Sequence, residues 1–173
     1  MAGFTLIEAL FVCALAAVIS AVAIPISLAG VDRSRGWASA RYVAARLVRV
    51  RALAVSHGAA VAVQFEGGNA QIDLSSFADG NHNGVSSREI ATGLDPRLEG
   101  PTRLSALFPG VVTDFDAEAP RLFSFSPDGT STSGTVYLAS RDGTRFAVRV
   151  LGMTARVRVE RYIAARDLWV EAY

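Results

Sequence analysis

The run from Ala9 to Ile26 constrains this chain more than any other stretch. It is about eighteen residues long, broken only by Ser20 and Pro25, and close to the ~20 apolar residues needed to cross a bilayer as a helix. A single carboxylate, Glu8, stands at its leading edge, with no Lys or Arg near it in sequence. An unpaired carboxylate in hydrocarbon costs roughly 3 kcal/mol on insertion scales, so an acid placed there is by default a functional group that needs a positive partner. A cut between Gly3 and Phe4 would supply one, since the new amine of Phe4 would lie about one helical turn from Glu8, or beside the Glu8 of another copy.

The run Gly3-Phe4-Thr5-Leu6-Ile7-Glu8 followed by an apolar helix resembles the processing site of type IV pilins and type II secretion pseudopilins. The resemblance implies that prepilin peptidase, a membrane aspartic peptidase, cuts after Gly3, that Phe4 is N-methylated, and that Glu8 guides assembly into a helical filament. Pro25 falls where many such pilins carry a helix-loosening proline. A secretory signal peptide fits less well, because its apolar core is shorter and follows a basic n-region, whereas only Met1 and Ala2 precede Gly3.

The remainder of the 173 residues is long enough for one domain with a real core. The formal charge of +1 excludes a global attraction to nucleic acid or to a membrane surface. Its distribution is polar: all seventeen basic residues are Arg, and six of them (Arg33, Arg35, Arg41, Arg46, Arg49, Arg51) crowd the stretch after the apolar run. The middle is acidic and the last fifty or so residues turn basic again. Such a gradient suits head-to-tail packing of subunits, though a solvated face explains it equally. Cys13, the only cysteine, lies in the apolar run and has no partner for an internal disulfide.

From Val31 the pattern extends the first helix. Val43, Leu47, Val50 and Ala54 recur at helical spacing and form a stripe. Gly30 and Gly36 weaken this part by roughly 1 kcal/mol each relative to Ala, predicting a bend or local melting between a membrane half and a water-facing half. Gly58 is a natural C-terminal cap. A helix from Phe4 to Val55 would be about 80 Å long, more than one small domain can cover.

Beyond Gly58 the period changes to two. Ala59–Phe65 and Ala70–Leu74 read as a hairpin turning at Gly67-Gly68-Asn69, and a polar loop spans Ala78–Thr92. Further strands are expected at Leu104–Leu107, Val111–Phe115, Leu122–Phe125, Val136–Ser140, Arg145–Val150 and Arg156–Arg161, with Asp128-Gly129 and Asp142-Gly143 as turns. The alternation in the last two implies antiparallel sheets with one wet face. The fold class is therefore α+β: a long N-terminal helix packed on an antiparallel β-sheet or β-sandwich domain. The helix ending near "RALAVSHG", the strand "AVAVQF", and the run "FSPDGTSTSGTVYLASRDGTRFAVRVLGMTARVRV" resemble the GspH/FimT group of minor pseudopilins. Ala155 stands where that group commonly has Gly before the Arg. The implied organisation is a leader at 1–3, a membrane or filament-core half-helix at 4–30, an amphipathic half at 31–57 and a periplasmic β domain at 58–173. The chain would sit in the bacterial inner membrane by a single pass and then join a filament, near its tip, through helix contacts with other pilins or pseudopilins. Secreted substrate or DNA would be its further partners.

Two side-chain groups outside the helix carry chemistry worth testing. Asp79, Asn81 and Asn83, with Gly84 at position six, match the opening of a calcium loop, but Ile90 occupies the closing position and Glu89 falls one residue early. Either a shorter loop uses Glu89 to hold a structural calcium, or these side chains cap their own turns, the reading we favour. Arg156 and Arg158 share one strand face, and Arg149 can join them from the neighbouring strand. Guanidinium groups grip phosphate, and some FimT-like pilins are understood to bind DNA through basic residues near this end. Paired or solvated arginines are the plainer reading. No nucleophile, base and carboxylate stand at a recognisable catalytic spacing around His57 or His82, so catalysis and any cofactor other than calcium are not expected.

Overall fold

The structure is a computed structural model that describes residues 5–116 and 121–172. One helix, α1, spans Leu6–His57, 52 residues, which makes it about 78 Å long. Thr5 begins it with extended backbone, and Gly58 ends it at φ 64°, a left-handed cap that costs glycine nothing. The helix passes without interruption through Pro25, Gly30 and Gly36, so the melting expected at the glycines does not occur. Gly36 has a different job. A Cβ there would lie 2.9 Å from the Ser140 side chain and 3.0 Å from the Phe146 ring, so its lack of a side chain lets α1 seat directly on the β domain.

The β domain is two antiparallel sheets. One has the order β3-β2-β1-β5 and the other β4-β6-β7-β8-β9. The first comprises β1 (Val61–Gly68), β2 (Gln71–Ala78), β3 (Arg97–Arg103) and β5 (Leu122–Phe125); the second comprises β4 (Val112–Phe115), β6 (Gly134–Ala139), β7 (Arg145–Leu151), β8 (Arg156–Ile163) and β9 (Leu168–Glu171). Short helices α2 (Ser87–Thr92) and α3 (Leu104–Leu107) interrupt the strands. The stripe Val43, Leu47, Val50 and Ala54 is fully buried, and it packs in one core with Phe65, Phe123, Leu138, Phe146 and Val148 from both sheets. Phe65 meets Phe123 edge-on at 5.7 Å and Phe115 at 5.4 Å, the offset geometry that ring quadrupoles prefer.

Several strand bounds differ from the pattern reading, each for a physical reason. The β1–β2 ladder runs through both glycines and pairs Gly68 with Gln71, so the turn is at Asn69–Ala70; a Cβ on Gly67 would sit 2.2 Å from the Gln71 carbonyl oxygen. Leu104–Leu107, expected as a strand, is the helix α3, since four residues cannot show which period they follow. The polar loop contains the helix α2, capped by the Ser86 side chain on the Glu89 N–H. β3 and β9 were not anticipated at all. β3 carries Gly100 and Pro101 and lies at a sheet edge, the position where Pro is tolerated.

Candidate functional site

The leading end of α1 is the first place to look for function. Gly3 and Phe4, the expected cleavage pair, lie outside the described residues. Thr5 and Glu8 form a reciprocal cap: the Glu8 carboxylate accepts from the Thr5 N–H at 2.9 Å and the Thr5 hydroxyl at 2.8 Å, while the Thr5 hydroxyl oxygen accepts from the Glu8 N–H at 3.4 Å. This is the T-x-x-E capping box, and the three-residue spacing was readable in the sequence although Thr5 drew no attention there. It satisfies one carboxylate oxygen and leaves the charge without a cation among the described residues. Leu6, Ile7, Leu10 and Phe11 beside it, and every large apolar side chain on to Leu28, are more than half exposed. None of the most apolar window of the helix is buried against the domain. Pro25 lies within this bare half and does not break it.

The loop after β2 is closed by carboxylates on backbone donors. Asp79 Oδ1 accepts from the N–H groups of Asn81 and Asn83 at 3.1 and 3.3 Å, and Oδ2 from Gly84 at 2.7 Å. Burial pushes the Asp79 pKa up, but these bonds and one from the His82 N–H outweigh it and hold the carboxyl below its ordinary value. Asn81 and Asn83 turn their Nδ2 groups onto Glu89 Oε1 at 3.0 and 2.8 Å, and with Ser86 they hold the Glu89 carboxyl low as well. Asp95, buried and unremarked in the sequence, accepts from the N–H groups of Gly80 and Ser86 at 3.2 and 3.0 Å. Asp79, Asn81, Asn83 and Glu89 do come together, but N–H groups rather than free oxygens face the two carboxylates. Among the described residues no group of three or more His, Cys, Asp or Glu side chains is arranged as a metal site.

The three candidate phosphate-gripping arginines share the outer face of the second sheet, where Arg149 and Arg158 stand directly opposite in the β7–β8 register. Arg149 is engaged by Glu160 at 2.7 Å, and Arg156 lies 3.9 Å from Glu171. Arg158 is half-buried, with its Nε unpartnered. Beside them runs an aromatic ladder that no sequence pattern announces. Trp169 packs on Tyr162 at 5.2 Å and reaches across to Tyr137 at 5.7 Å, with Arg149 6.0 Å from its ring centre. The small buried Ala147 lies between Tyr137 and Glu160 in the ladder register and leaves room for the indole. His57 is exposed in the last turn of α1, and His82 is exposed at φ 63° in the Asp79 loop.

Comparison with known proteins matches this arrangement to one family. No curated protein sequence matches the chain. Among solved structures, that of the minor pseudopilin EpsH from the type 2 secretion system of Vibrio cholerae is similar at 16% identity, covering 72% of this chain and 95% of that chain with a TM-score of 0.52. The similarity is one of fold: a long N-terminal helix on antiparallel sheets. The family described as type II transport protein GspH matches residues 39–154, which take in the buried stripe of α1 and the strands β1 to β7. With more than half of its length matched in this way, the chain belongs to the GspH family of type II transport proteins.

Proposed function

We propose that the chain is a minor pseudopilin: made as an inner-membrane precursor with its β domain in the periplasm, cut between Gly3 and Phe4, methylated on the new amine, and built into a short filament at or near its tip. The observation that carries this reading is the bare half of α1, whose large apolar side chains from Leu6 to Leu28 are all more than half exposed, with none of its most apolar window buried among the described residues. A helix apolar all round is stable only in lipid or among other such helices. The filament core is a bundle of these helices, and the β domains coat it.

The role of Glu8 follows from its unfinished pairing. Thr5 satisfies the carboxylate with neutral donors, which leaves it free to meet the Phe4 amine of a neighbouring subunit. A desolvated ammonium–carboxylate pair is strong and specific in position, so it sets the register of the incoming helix. Glu8→Ala removes the charge and the capping box together. Membrane insertion, read by fractionation, stays intact, while incorporation into sheared filaments falls by at least about tenfold. Normal incorporation of that variant would reject the role, and a native N-terminus still beginning at Met1 would reject the processing.

The phosphate-gripping alternative has less support in the geometry, since Arg149 and Arg156 already face carboxylates. Loss of salt-dependent DNA binding in Arg156→Gln/Arg158→Gln would be needed to revive it. The proposed role is mechanical: the apolar half of α1 packs into the filament core and the β domain coats it.

A further inference from the structure

We propose that the membrane-proximal end of the β domain carries a docking groove for an anionic phospholipid, with the lipid phosphate held between Arg33 and Arg161. This rests on the reading of α1 as membrane-anchored.

The groove, about 590 Å³, opens between α1 and the helix-facing side of β8 and β9. Its lining is amphiphilic: Trp37, Phe146 and Val170 supply apolar surface, and Arg33 and Arg161 supply charge. Trp37 packs on Phe146 at 5.8 Å and leaves one face half-exposed. Arg161 is set on the same face of β8 as the inward residues Val157 and Val159. Arg161 is exposed at the mouth of the groove and has no carboxylate within 4 Å among the described residues, which leaves its guanidinium available to an external anion. Arg33 approaches from the helix and also lines a second, adjoining cleft with Arg161 and Tyr162.

The level of the groove selects the anion. The continuous run of more-than-half-exposed large apolar side chains on α1 ends at Leu28, with Val31 46% exposed just beyond it, and Arg33 follows Leu28 by five residues, about 7 Å along the helix. The polar headgroup layer is about 6 Å thick on each side of the hydrocarbon, so Arg33 emerges at phosphate level. The domain loops that close this end are basic too. The β6–β7 turn brings Arg141, the β8–β9 turn brings Arg166, and α1 brings Arg35. The opposing carboxylates are already engaged. Asp142 accepts from Ser140, Thr144 and Arg33, the last at 3.4 Å; Asp32 faces Arg35 at 3.4 Å; Asp167 accepts from the Tyr162 hydroxyl at 2.6 Å. Glu171 also lines the groove, but its nearest cation is Arg156. Juxtamembrane arginines near anionic headgroups strengthen binding by about fivefold each. The physical consequence is a domain clamped down on its own leaflet while the subunit waits, with the clamp released as α1 leaves the bilayer.

The test uses the full chain in detergent micelles with Trp169→Phe, which leaves Trp37 as the only tryptophan. Short-chain phosphatidylglycerol, short-chain phosphatidylcholine and inorganic phosphate are titrated separately, and Trp37 emission is read. Phosphatidylglycerol is expected to shift the emission saturably, at least about fivefold more tightly than phosphatidylcholine. Arg33→Gln, on the exposed helix surface, and Arg161→Gln each remove that preference, while Arg88→Gln, exposed on α2 and outside the groove lining, leaves it unchanged. Equal response to the two lipids, an equal response to inorganic phosphate, or a preference that survives both substitutions would overturn the proposal. Flotation with vesicles separates the two levels: a chain that floats without lipid preference sinks only this inference, whereas one that fails to float sinks the membrane reading beneath it.

Discussion

Glu99→Gln tests how the edge strand β3 is fastened to the helix. Glu99 reaches across to two arginines one turn apart on α1, Arg46 and Arg49, and makes a charge-assisted bond to each. The two are not equivalent. The Arg46 side chain is 12% exposed and that of Arg49 60%, with Glu99 between them at 30%. The Arg46 Nε has no partner at all, so its guanidinium depends on Glu99 for compensation. Removing one member of a buried pair strands the other charge at a cost of 3–5 kcal/mol; with Glu99 partly wet we expect about 2–3 kcal/mol. Arg49→Met, at the exposed end, should cost under about 1 kcal/mol. For a chain of this size the Glu99→Gln cost corresponds to a Tm lower by about 4–12 °C, read by near-ultraviolet circular dichroism on the full chain in detergent micelles. The asymmetry is the decisive part. If Arg49→Met destabilises as much as Arg46→Met, or if Glu99→Gln costs under about 0.5 kcal/mol, burial does not govern this triad and the reasoning fails.

Three further outcomes are expected. Because the folded Asp79 carboxyl titrates below its ordinary value, its contribution is fully present above the unfolded carboxylate pKa of about 4 and is lost as pH falls through the lower folded value; the Tm gap between the parent chain and Asp79→Asn should narrow on acidification through that window and stay constant above it. Gly36→Val would place side-chain atoms within 3 Å of Ser140 and Phe146, costing about 2 kcal/mol and raising hydrogen exchange in β7. Adding calcium should leave the Tm within about 1 °C, because Asp79 and Glu89 are already satisfied by N–H groups; a saturable rise would instead make Asp79, Asn81, Asn83 and Glu89 its ligands.

What could be read from the sequence was whatever is local and periodic. The stripe Val43, Leu47, Val50 and Ala54 is buried as its spacing implies, Gly58 caps the helix, and Leu122–Phe125 is a strand with the predicted bounds. β3 was illegible because "RLEGPTR" has no alternation and Thr102 as its one β-former; β2 pairing and the Glu99 bridge to α1, 53 and 50 residues away from its arginines in sequence, hold it in place. The same applies to Trp169, whose ladder with Tyr137 and Tyr162 exists only once β6, β8 and β9 lie in one sheet. Ala155 is a case of the opposite kind. The missing Gly is visible in the sequence, and the structure gives its physical meaning: the residue sits at φ 48°, where Cβ costs roughly 1–2 kcal/mol. The Ala155 methyl is fully buried, which returns about 0.8 kcal/mol of that cost.

The bare half of α1 also determines what kind of step assembly must be. Twelve large apolar side chains from Leu6 to Leu28 are more than half exposed on the isolated chain. Leaving each of them in water costs about 1.5–3 kcal/mol, or roughly 20–35 kcal/mol together, which exceeds the 5–15 kcal/mol that holds a typical domain folded. A subunit released through water is therefore not an available intermediate, and on the proposed function the helix passes directly from lipid to a bundle of its own kind. That exchange is nearly neutral in hydrophobic terms, because lipid tails are as apolar as Leu. With the large term cancelled, small polar terms decide direction and register. At the leading end the chain offers one such term, the Glu8 carboxylate held by Thr5. At the trailing end it offers the arginines around Arg33 and Arg161. On the proposed reading the first draws the subunit into the filament and the second holds it on the membrane. Weakening the second by Arg33→Gln should then speed incorporation of a chain that Glu8→Ala would stall, and opposite signs in one incorporation assay are what this balance requires.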